Sequence, residues 1–222
     1  MRLETLNSEL ESDNTIRAHR VTSDVSARNL DHTEWSNASP AHITRYWSGE
    51  EAPVARHAEV RLIWSAEALS VRYVCNQSEP LVVSPDPQTA KKTHGLWDRD
   101  VSEIFIAPDP TTPERYFEFE AAPTGEWIDL AIHTMPNKRE TDWDFHSGMS
   151  VAARVAKDRI LVAMRIPWDD WIHKPHHGER WRVNLFRCVG GGENRGYLAW
   201  QPTRTAQPNF HVPQAFGWLQ FE

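Results

Sequence analysis

A tryptophan and a glutamate six residues apart offer the two kinds of contact that a sugar ring requires. Trp97 lies in a polar segment, just before an apolar run that begins at Val101 and contains Glu103. A pyranose has an apolar C–H face that an indole can cover, and its rim of hydroxyl groups can hydrogen-bond to a carboxylate. The pair therefore indicates a sugar site. The alternative is that Trp97 packs a loop against the core while Glu103 pairs with an arginine.

A second group of acidic residues follows in a strand-like run. Alternation places Tyr116, Glu118 and Glu120 on one face, and Asp129 on the next run could project beside them. The pattern is typical either of a solvated sheet face or of the floor of a sugar-binding concavity. Counter-charges for these carboxylates could come from later strands, which carry Arg165, Arg182 and Arg187.

Paired carboxylates also leave an enzymatic interpretation open. Glycosidases place two such groups beside the scissile bond, so Glu118 or Glu120 could act with Asp129 as acid and base on O-glycosyl bonds. Nothing in the sequence indicates a raised pKa or the separation that this chemistry needs. Binding without catalysis is therefore the favoured interpretation, and a structural or protein-interaction domain is a third.

A third group lies near the C-terminus. Asn194 follows a run of three glycines, and Trp200 ends a strand-like run beside a proline-containing loop. Trp200 could form a second aromatic wall of a sugar site, with Asn194 as a polar contact. Packing of Trp200 in the core is the competing explanation.

Metal and thiol chemistry have weaker signals. Asp98 and Asp100 offer oxygen ligands that suit a hard cation such as calcium, at a spacing that is generic. Cys75 and Cys188 both lie inside apolar runs, where they form either two buried thiols or a disulfide between two strands.

Composition excludes several classes of partner. The 222 residues carry a formal net charge of -7. No basic run is present to displace phosphate counterions, which argues against a nucleic-acid partner. No stretch approaches the ~18 apolar residues of a membrane helix. Residues 1–24 lack the apolar core of a signal peptide, so we expect a cytoplasmic protein, or a secreted or periplasmic one if a leader has been removed.

The elements that must position these residues are short strands. About ten runs alternate with a period of two, among them hairpins predicted at residues 57–76 and 150–166 and strands at residues 101–107 and 116–121. The best helix candidate is a single turn at residues 167–171. This pattern predicts an all-β fold: one antiparallel β-sandwich domain of the immunoglobulin-like or jelly-roll type. We expect residues 1–30 to form an N-terminal arm or edge strand and residues 31–222 to form the domain.

A series of segments in this order resembles the carbohydrate-binding module family 9-like domains. The likeness extends over roughly residues 30–222 and rests on order and spacing more than on any single motif. Its segments are Trp97, residues 100–108, 116–119, 166–168 and 181–184, and Phe216 with Gly217.

The resemblance implies a β-sandwich that binds sugars, typically in polysaccharide or glycan catabolism. It implies that two tryptophans enclose the sugar beside a glutamate, with structural calcium elsewhere. By position, Trp97 resembles the first tryptophan, Glu103 the glutamate, Trp200 the second tryptophan and Asn194 a nearby polar contact. The sequence departs from the pattern where binding members carry an arginine, because that strand here carries Glu118 and Glu120.

Overall fold

The computed structural model describes residues 14–222, which contain 14 strands and five short 3-10 helices. The helices are Thr33–Ser36, Val54–Arg56, Leu96–Asp98, Gly192–Asn194 and Pro213–Ala215. The strands are β1 (Thr15–Arg20), β2 (Ala41–Ile43), β3 (Arg45–Tyr46), β4 (Ala58–Trp64), β5 (Ala68–Asn76), β6 (Val101–Ala107), β7 (Arg115–Ala121), β8 (Trp127–Met135), β9 (Lys138–Asp142), β10 (Ser150–Val155), β11 (Arg159–Pro167), β12 (Arg180–Val189), β13 (Gly196–Ala199) and β14 (Gly217–Phe221).

All 14 strands belong to one curled, mixed sheet. The main path runs β10-β11-β5-β4-β1-β14-β12-β6-β7-β8-β9, while β2 pairs with β4 and β13 links β12 to β3. The predicted all-β class and single domain are confirmed. The prediction of a wholly antiparallel fold is wrong at β1, which runs parallel to both of its neighbours.

The main core contains side chains from both halves of this curled sheet. Val60 and Val71 come from one half, and Ile104, Ile106 and Val183 come from the other. The alternation that was visible in the sequence produces this arrangement, because every second side chain of a strand points to the same face.

The hairpin predicted between residues 57 and 76 forms as β4 and β5. Trp64 pairs with Leu69 in an antiparallel register. The Ser65 hydroxyl oxygen accepts hydrogen bonds from the backbone N–H groups of Glu67 and Ala68, which closes the turn. The hairpin of β10 and β11 also forms as expected.

Two expected elements differ from the structure. Residues 167–171 do not form a helical turn. Strand β11 runs to Pro167, and the Asp169 carboxylate then accepts hydrogen bonds from the backbone N–H groups of Trp171 and Ile172, which makes a side-chain-stabilised turn. Residues 15–20 form neither an arm nor an edge strand, because β1 is paired on both sides. The first part of the expected arm, residues 1–13, lies outside the described residues.

None of the helices in residues 14–222 is both long enough and apolar enough to span a bilayer.

Candidate functional site

An open cavity lies on the face of β6, β7 and β8 that points away from the main core. Its volume is about 330 Å³. A smaller buried cluster, which includes Phe105, Phe186 and Phe216, lies on this same face. We call this cavity the acidic cavity. Its lining residues are Trp97, Asp98, Glu103, Phe105, Glu118, Glu120, Leu130, Ile132, Arg139, Thr141, Trp143, Cys188, Tyr197, Pro208, Asn209, Phe210 and His211.

Strand register brings three glutamates together on the floor of the acidic cavity. Glu103 on β6 pairs with Glu120 on β7, and Phe105 pairs with Glu118. Glu118 and Glu120 are two residues apart, so they share a face, as alternation predicted. One carboxylate oxygen from each of the three glutamates lies within 4.8 Å of the others, and all three side chains are buried.

Burial and mutual repulsion shift the titration of this cluster. Loss of solvation, followed by the charge of Glu118, raises the pKa of Glu103 to about 8. The pKa of Glu120 is raised well above its ordinary value by burial and then by the charges of Glu103 and Glu118. Burial also raises the pKa of Glu118. These carboxyl groups therefore keep their protons to higher pH than they would in water.

Aromatic rings form the rim of the acidic cavity. Trp97 lies on the 3-10 helix Leu96–Asp98 and is 37% exposed, whereas its neighbour Leu96 is buried and anchors the turn. The Trp143 ring lies 6.2 Å from the Trp97 ring between centroids, tilted by 47°. Tyr197 on β13 contributes a third ring to the lining.

Arg195 fixes the segment that carries Trp97. Its guanidinium donates hydrogen bonds to the backbone oxygens of Trp97 and Arg99, at 2.7 and 2.6 Å, and to that of Gly190. The Asp100 carboxylate accepts hydrogen bonds from the backbone N–H groups of Gly190 and Val82. Trp97 is thus held at the rim by polar contacts rather than by burial of its own ring.

The structure does not bring Trp200 and Asn194 to the acidic cavity. Trp200 lines a separate cavity of about 610 Å³ with Thr15 and Arg17, and it packs against the main core. A Cβ atom on Gly217 would lie 2.5 Å from the Trp200 ring, so this glycine is what admits the indole. Asn194 is exposed, and its backbone oxygen accepts a hydrogen bond from Arg56. The expected slot between Trp97 and Trp200 is therefore not formed.

Asp129 does not lie beside the glutamates. It pairs with Phe119, whose side chain belongs to the main core, and so it points to the opposite face from Glu118 and Glu120. Its carboxylate lies 2.7 Å from the Lys92 ammonium group and accepts hydrogen bonds from the Ser147 backbone N–H and hydroxyl. The acid–base pair of Asp129 with Glu118 or Glu120, which the sequence left open as an alternative, is therefore not formed.

The three arginines expected as counter-charges also have other partners. Arg187 is buried and donates to Gln77 and to two backbone oxygens, because it pairs with Ser102 and so faces away from Glu103. Arg165 forms an ion pair with Asp24. The guanidinium of Arg182 stacks over the ring of Trp218.

The cysteines and the expected calcium ligands have clear positions. Cys75 and Cys188 are free, buried thiols on opposite faces of the sheet, near Ser102 and Glu103 respectively, so the disulfide alternative is not formed. Asp98 lines the acidic cavity, while Asp100 binds backbone N–H groups. Among residues 14–222, the cluster of His, Cys, Asp or Glu that could hold a metal ion is the glutamate group, which contains neither aspartate.

The lining residues that the sequence analysis did not identify include Arg139, Trp143, Tyr197 and His211. Arg139 and Trp143 come from β9 and the segment after it, which show no apolar alternation. His211 belongs to the C-terminal loop and binds the Tyr116 hydroxyl at 2.8 Å. Of these residues, only Tyr197 had a usable signal in the sequence. It lies two residues before the buried Ala199, so the two side chains are expected on the same face of the strand. Trp200 lies three residues after Tyr197 and is therefore expected on the other face.

The sequence of residues 29–222 matches the family described as carbohydrate family 9 binding domain-like. The chain belongs to this family. No curated protein matches the chain.

Solved structures related to carbohydrate family 9 share the fold at low sequence identity. A protein from Bacteroides uniformis that is described as a proposed carbohydrate-binding protein has a TM-score of 0.74 and 16% identity, covering 94% of this chain and 99% of that one. A family 9 carbohydrate-binding module from Caldicellulosiruptor kristjanssonii in complex with glucose has a TM-score of 0.66 and 16% identity, covering 94% and 95%. The same organism's module in complex with cellotriose has a TM-score of 0.66 and 15% identity, covering 94% and 93%.

Proposed function

We propose that this protein binds a carbohydrate in the acidic cavity and performs no chemistry on it. The observation that carries the proposal is the convergence of exposed indole rings and buried carboxyl groups on one open cavity. In this proposal Trp97 and Trp143 cover the apolar face of a sugar ring, while Glu103, Glu118 and Glu120 bind its hydroxyl groups.

Membership of the family supports the proposal. Two structural relatives hold glucose and cellotriose, and both cover most of this chain. We extend the proposal to a role in polysaccharide or glycan catabolism, because domains of this kind typically accompany that process.

The arrangement of the carboxyl groups favours binding over hydrolysis. A glycosidase places its two carboxyl groups on either side of the scissile bond, with one ionised and one protonated. Here Glu103, Glu118 and Glu120 project from one sheet face on adjacent strands, and Asp129 faces the other way. They form a floor under a ligand rather than two flanks.

Calorimetric titration of the full chain with glucose, xylose, cellotriose, glucosamine and N-acetylglucosamine tests the proposal. We expect saturable binding of at least one sugar, and an affinity at least about tenfold weaker in Trp97→Ala. Trp171→Ala is the matched control, because Trp171 is exposed and lies outside the acidic cavity. Absence of binding by every sugar, or equal loss in both variants, would overturn it. Turnover of chromogenic glycosides would instead support the enzymatic alternative.

A further inference from the structure

The acidic cavity has an excess of negative groups. Its lining contains four acidic side chains, namely Asp98, Glu103, Glu118 and Glu120, against one arginine, Arg139. His211 lies 3.9 Å from Glu118, but burial lowers the pKa of this histidine to about 3. It is therefore neutral near pH 7 and supplies no positive charge.

Several oxygens of this cluster have no donor within residues 14–222. Neither oxygen of Glu120 nor Glu118 Oε2 accepts a hydrogen bond from a backbone, hydroxyl or nitrogen donor, although both side chains are buried at the cavity floor, and the two carboxyl groups have only each other with which to share a proton. The Glu103 carboxylate accepts a hydrogen bond from the Cys188 thiol, a weak donor, at 3.3 Å. Buried acceptors without donors are costly, so this floor is suited to a ligand that brings donors with it.

Resting on the carbohydrate-binding function proposed above, we propose that the ligand is an amino sugar. Its ammonium group would lie among Glu103, Glu118 and Glu120, and its ring would cover Trp97 and Trp143. An ammonium group carries three N–H donors and a positive charge, so its binding would favour loss of the protons that these carboxyl groups otherwise keep and would supply both the donors and the counter-charge.

The rim favours an organic cation over a bare metal ion. Divalent ions take oxygen ligands and gain nothing from indole rings, whereas a sugar ammonium places a cation and C–H groups against them at the same time. Trp97, Trp143 and Tyr197 all face the same cavity as the three glutamates.

Three sugars that differ only at the second carbon provide the direct test. Glucosamine, N-acetylglucosamine and glucose carry an ammonium, a neutral amide and a hydroxyl group there. Titration of the full chain at about pH 6 and low salt keeps the amine charged and the electrostatic attraction unscreened. We expect glucosamine to bind at least about tenfold more tightly than either neutral sugar.

Isosteric removal of one charge tests the location. In Glu120→Gln the ratio of the glucose Kd to the glucosamine Kd should fall from about ten toward one. Glu140→Gln is the matched control, because Glu140 is an exposed acidic residue on β9 that does not line the acidic cavity, and the ratio should not change.

The outcomes separate this inference from the function on which it rests. Binding of glucose as tight as that of glucosamine, or a preference that survives in Glu120→Gln, overturns the amino-sugar proposal and leaves carbohydrate binding intact. Binding of none of the three sugars, nor of xylose or cellotriose, overturns both. Calcium chloride that binds the protein alone and displaces glucosamine overturns the proposal in favour of a metal site.

Discussion

Glu103 on β6 and Glu120 on β7 are directly opposed cross-strand neighbours, and both side chains are buried. Opposed residues in an antiparallel pair have Cβ atoms about 5 Å apart, so two like charges there repel strongly when solvent is excluded. The pair is stable in the folded protein because its members hold protons at a pH where isolated carboxyl groups would have lost them. Protonation, and not an arginine, is what makes the unliganded floor tolerable.

This pair makes the stability of the unliganded protein depend on pH. The folded pKa of Glu103, about 8, lies above its ordinary value of 4.5, so the folded state binds a proton that the unfolded state lacks between these values. Stability should therefore fall as the pH rises from about 6.5 to about 8. Above about pH 6.5, the imidazole of unfolded His211 holds at most about half a proton, so it opposes this trend only in part. Urea unfolding across this window measures the slope.

Glu103→Gln should flatten that slope, because the amide carries no titrating proton. Glu140→Gln, which changes an exposed carboxylate, should retain the slope of the unmodified protein. A free energy of unfolding that is constant or rises between about pH 6.5 and 8 would contradict the assignment of raised pKa values.

The two tryptophans singled out in the sequence should differ in their effect on sugar affinity. Trp97→Ala should weaken binding about tenfold or more, because it removes a wall of the acidic cavity. Trp200→Ala should leave affinity within about twofold while lowering the thermal midpoint, because its ring packs against the core beside Gly217. Calorimetry with whichever of glucose and glucosamine binds more tightly gives the first value, and thermal melting gives the second.

A folded Trp200→Ala protein that has lost sugar binding would show that the ligand lies in the separate cavity lined by Trp200, and not in the acidic cavity. Trp171→Ala, with its ring 63% exposed, controls for loss of an indole as such.

The cysteines should be unreactive until the protein unfolds. Burial raises the pKa of the Cys188 thiol well above its ordinary value, with a further contribution from the charge of Glu103, so almost none is present as thiolate. Both thiols should react with a chromogenic disulfide reagent at least about a hundredfold more slowly in the native protein than in denaturant. Detection of fewer than two thiols after denaturation without reductant would indicate an oxidised pair.

Strand β1 should be essential although it precedes the matched family region, which begins at residue 29. A chain of residues 29–222 should fail to fold cooperatively, since it leaves β4 and β14 without the strand that joins them. Circular dichroism and thermal melting compare it with the full chain.

A point substitution tests the same strand without truncation. Ala18 is fully buried on β1, and Ala18→Asp should destabilise the fold by about 3 kcal/mol or more. Arg17→Ser, at the neighbouring exposed position, should cost less than about 1 kcal/mol. Similar losses from both substitutions would contradict an interior position for β1.

Much of the strand content was predictable because burial on one face leaves a period of two in the sequence. The predicted bounds of strands β4, β5, β6 and β7 differ from the observed bounds by no more than one residue at either end. Strand β9 was missed, since Lys138–Asp142 is polar at every position and packs no apolar face. The parallel pairing of β1 was also missed, because alternation identifies a strand but not its neighbours.

The site was predictable where local geometry determined it. Glu118 and Glu120 share a face for the same reason that any residues two apart on a strand do, and Trp97 and Glu103 line one cavity. The contributions of Trp143, Arg139 and His211 depend on how distant segments fold over the sheet, which no local pattern encodes. Trp200 was proposed because its indole ends a strand, whereas the alternation of side chains along β13 places Tyr197 in the lining of the acidic cavity.

The pairing of β1 with β14 has a consequence for the order in which the protein can assemble during translation. Thr15 is matched with Trp218, so β1 must wait for β14, which is synthesised much later. Until residues 217–221 emerge, one edge of β1 presents unpaired backbone groups to the cellular environment. The nascent chain thus completes its hydrogen-bonded sheet only after β14 has emerged, and any truncation before residue 217 removes the strand that β1 requires.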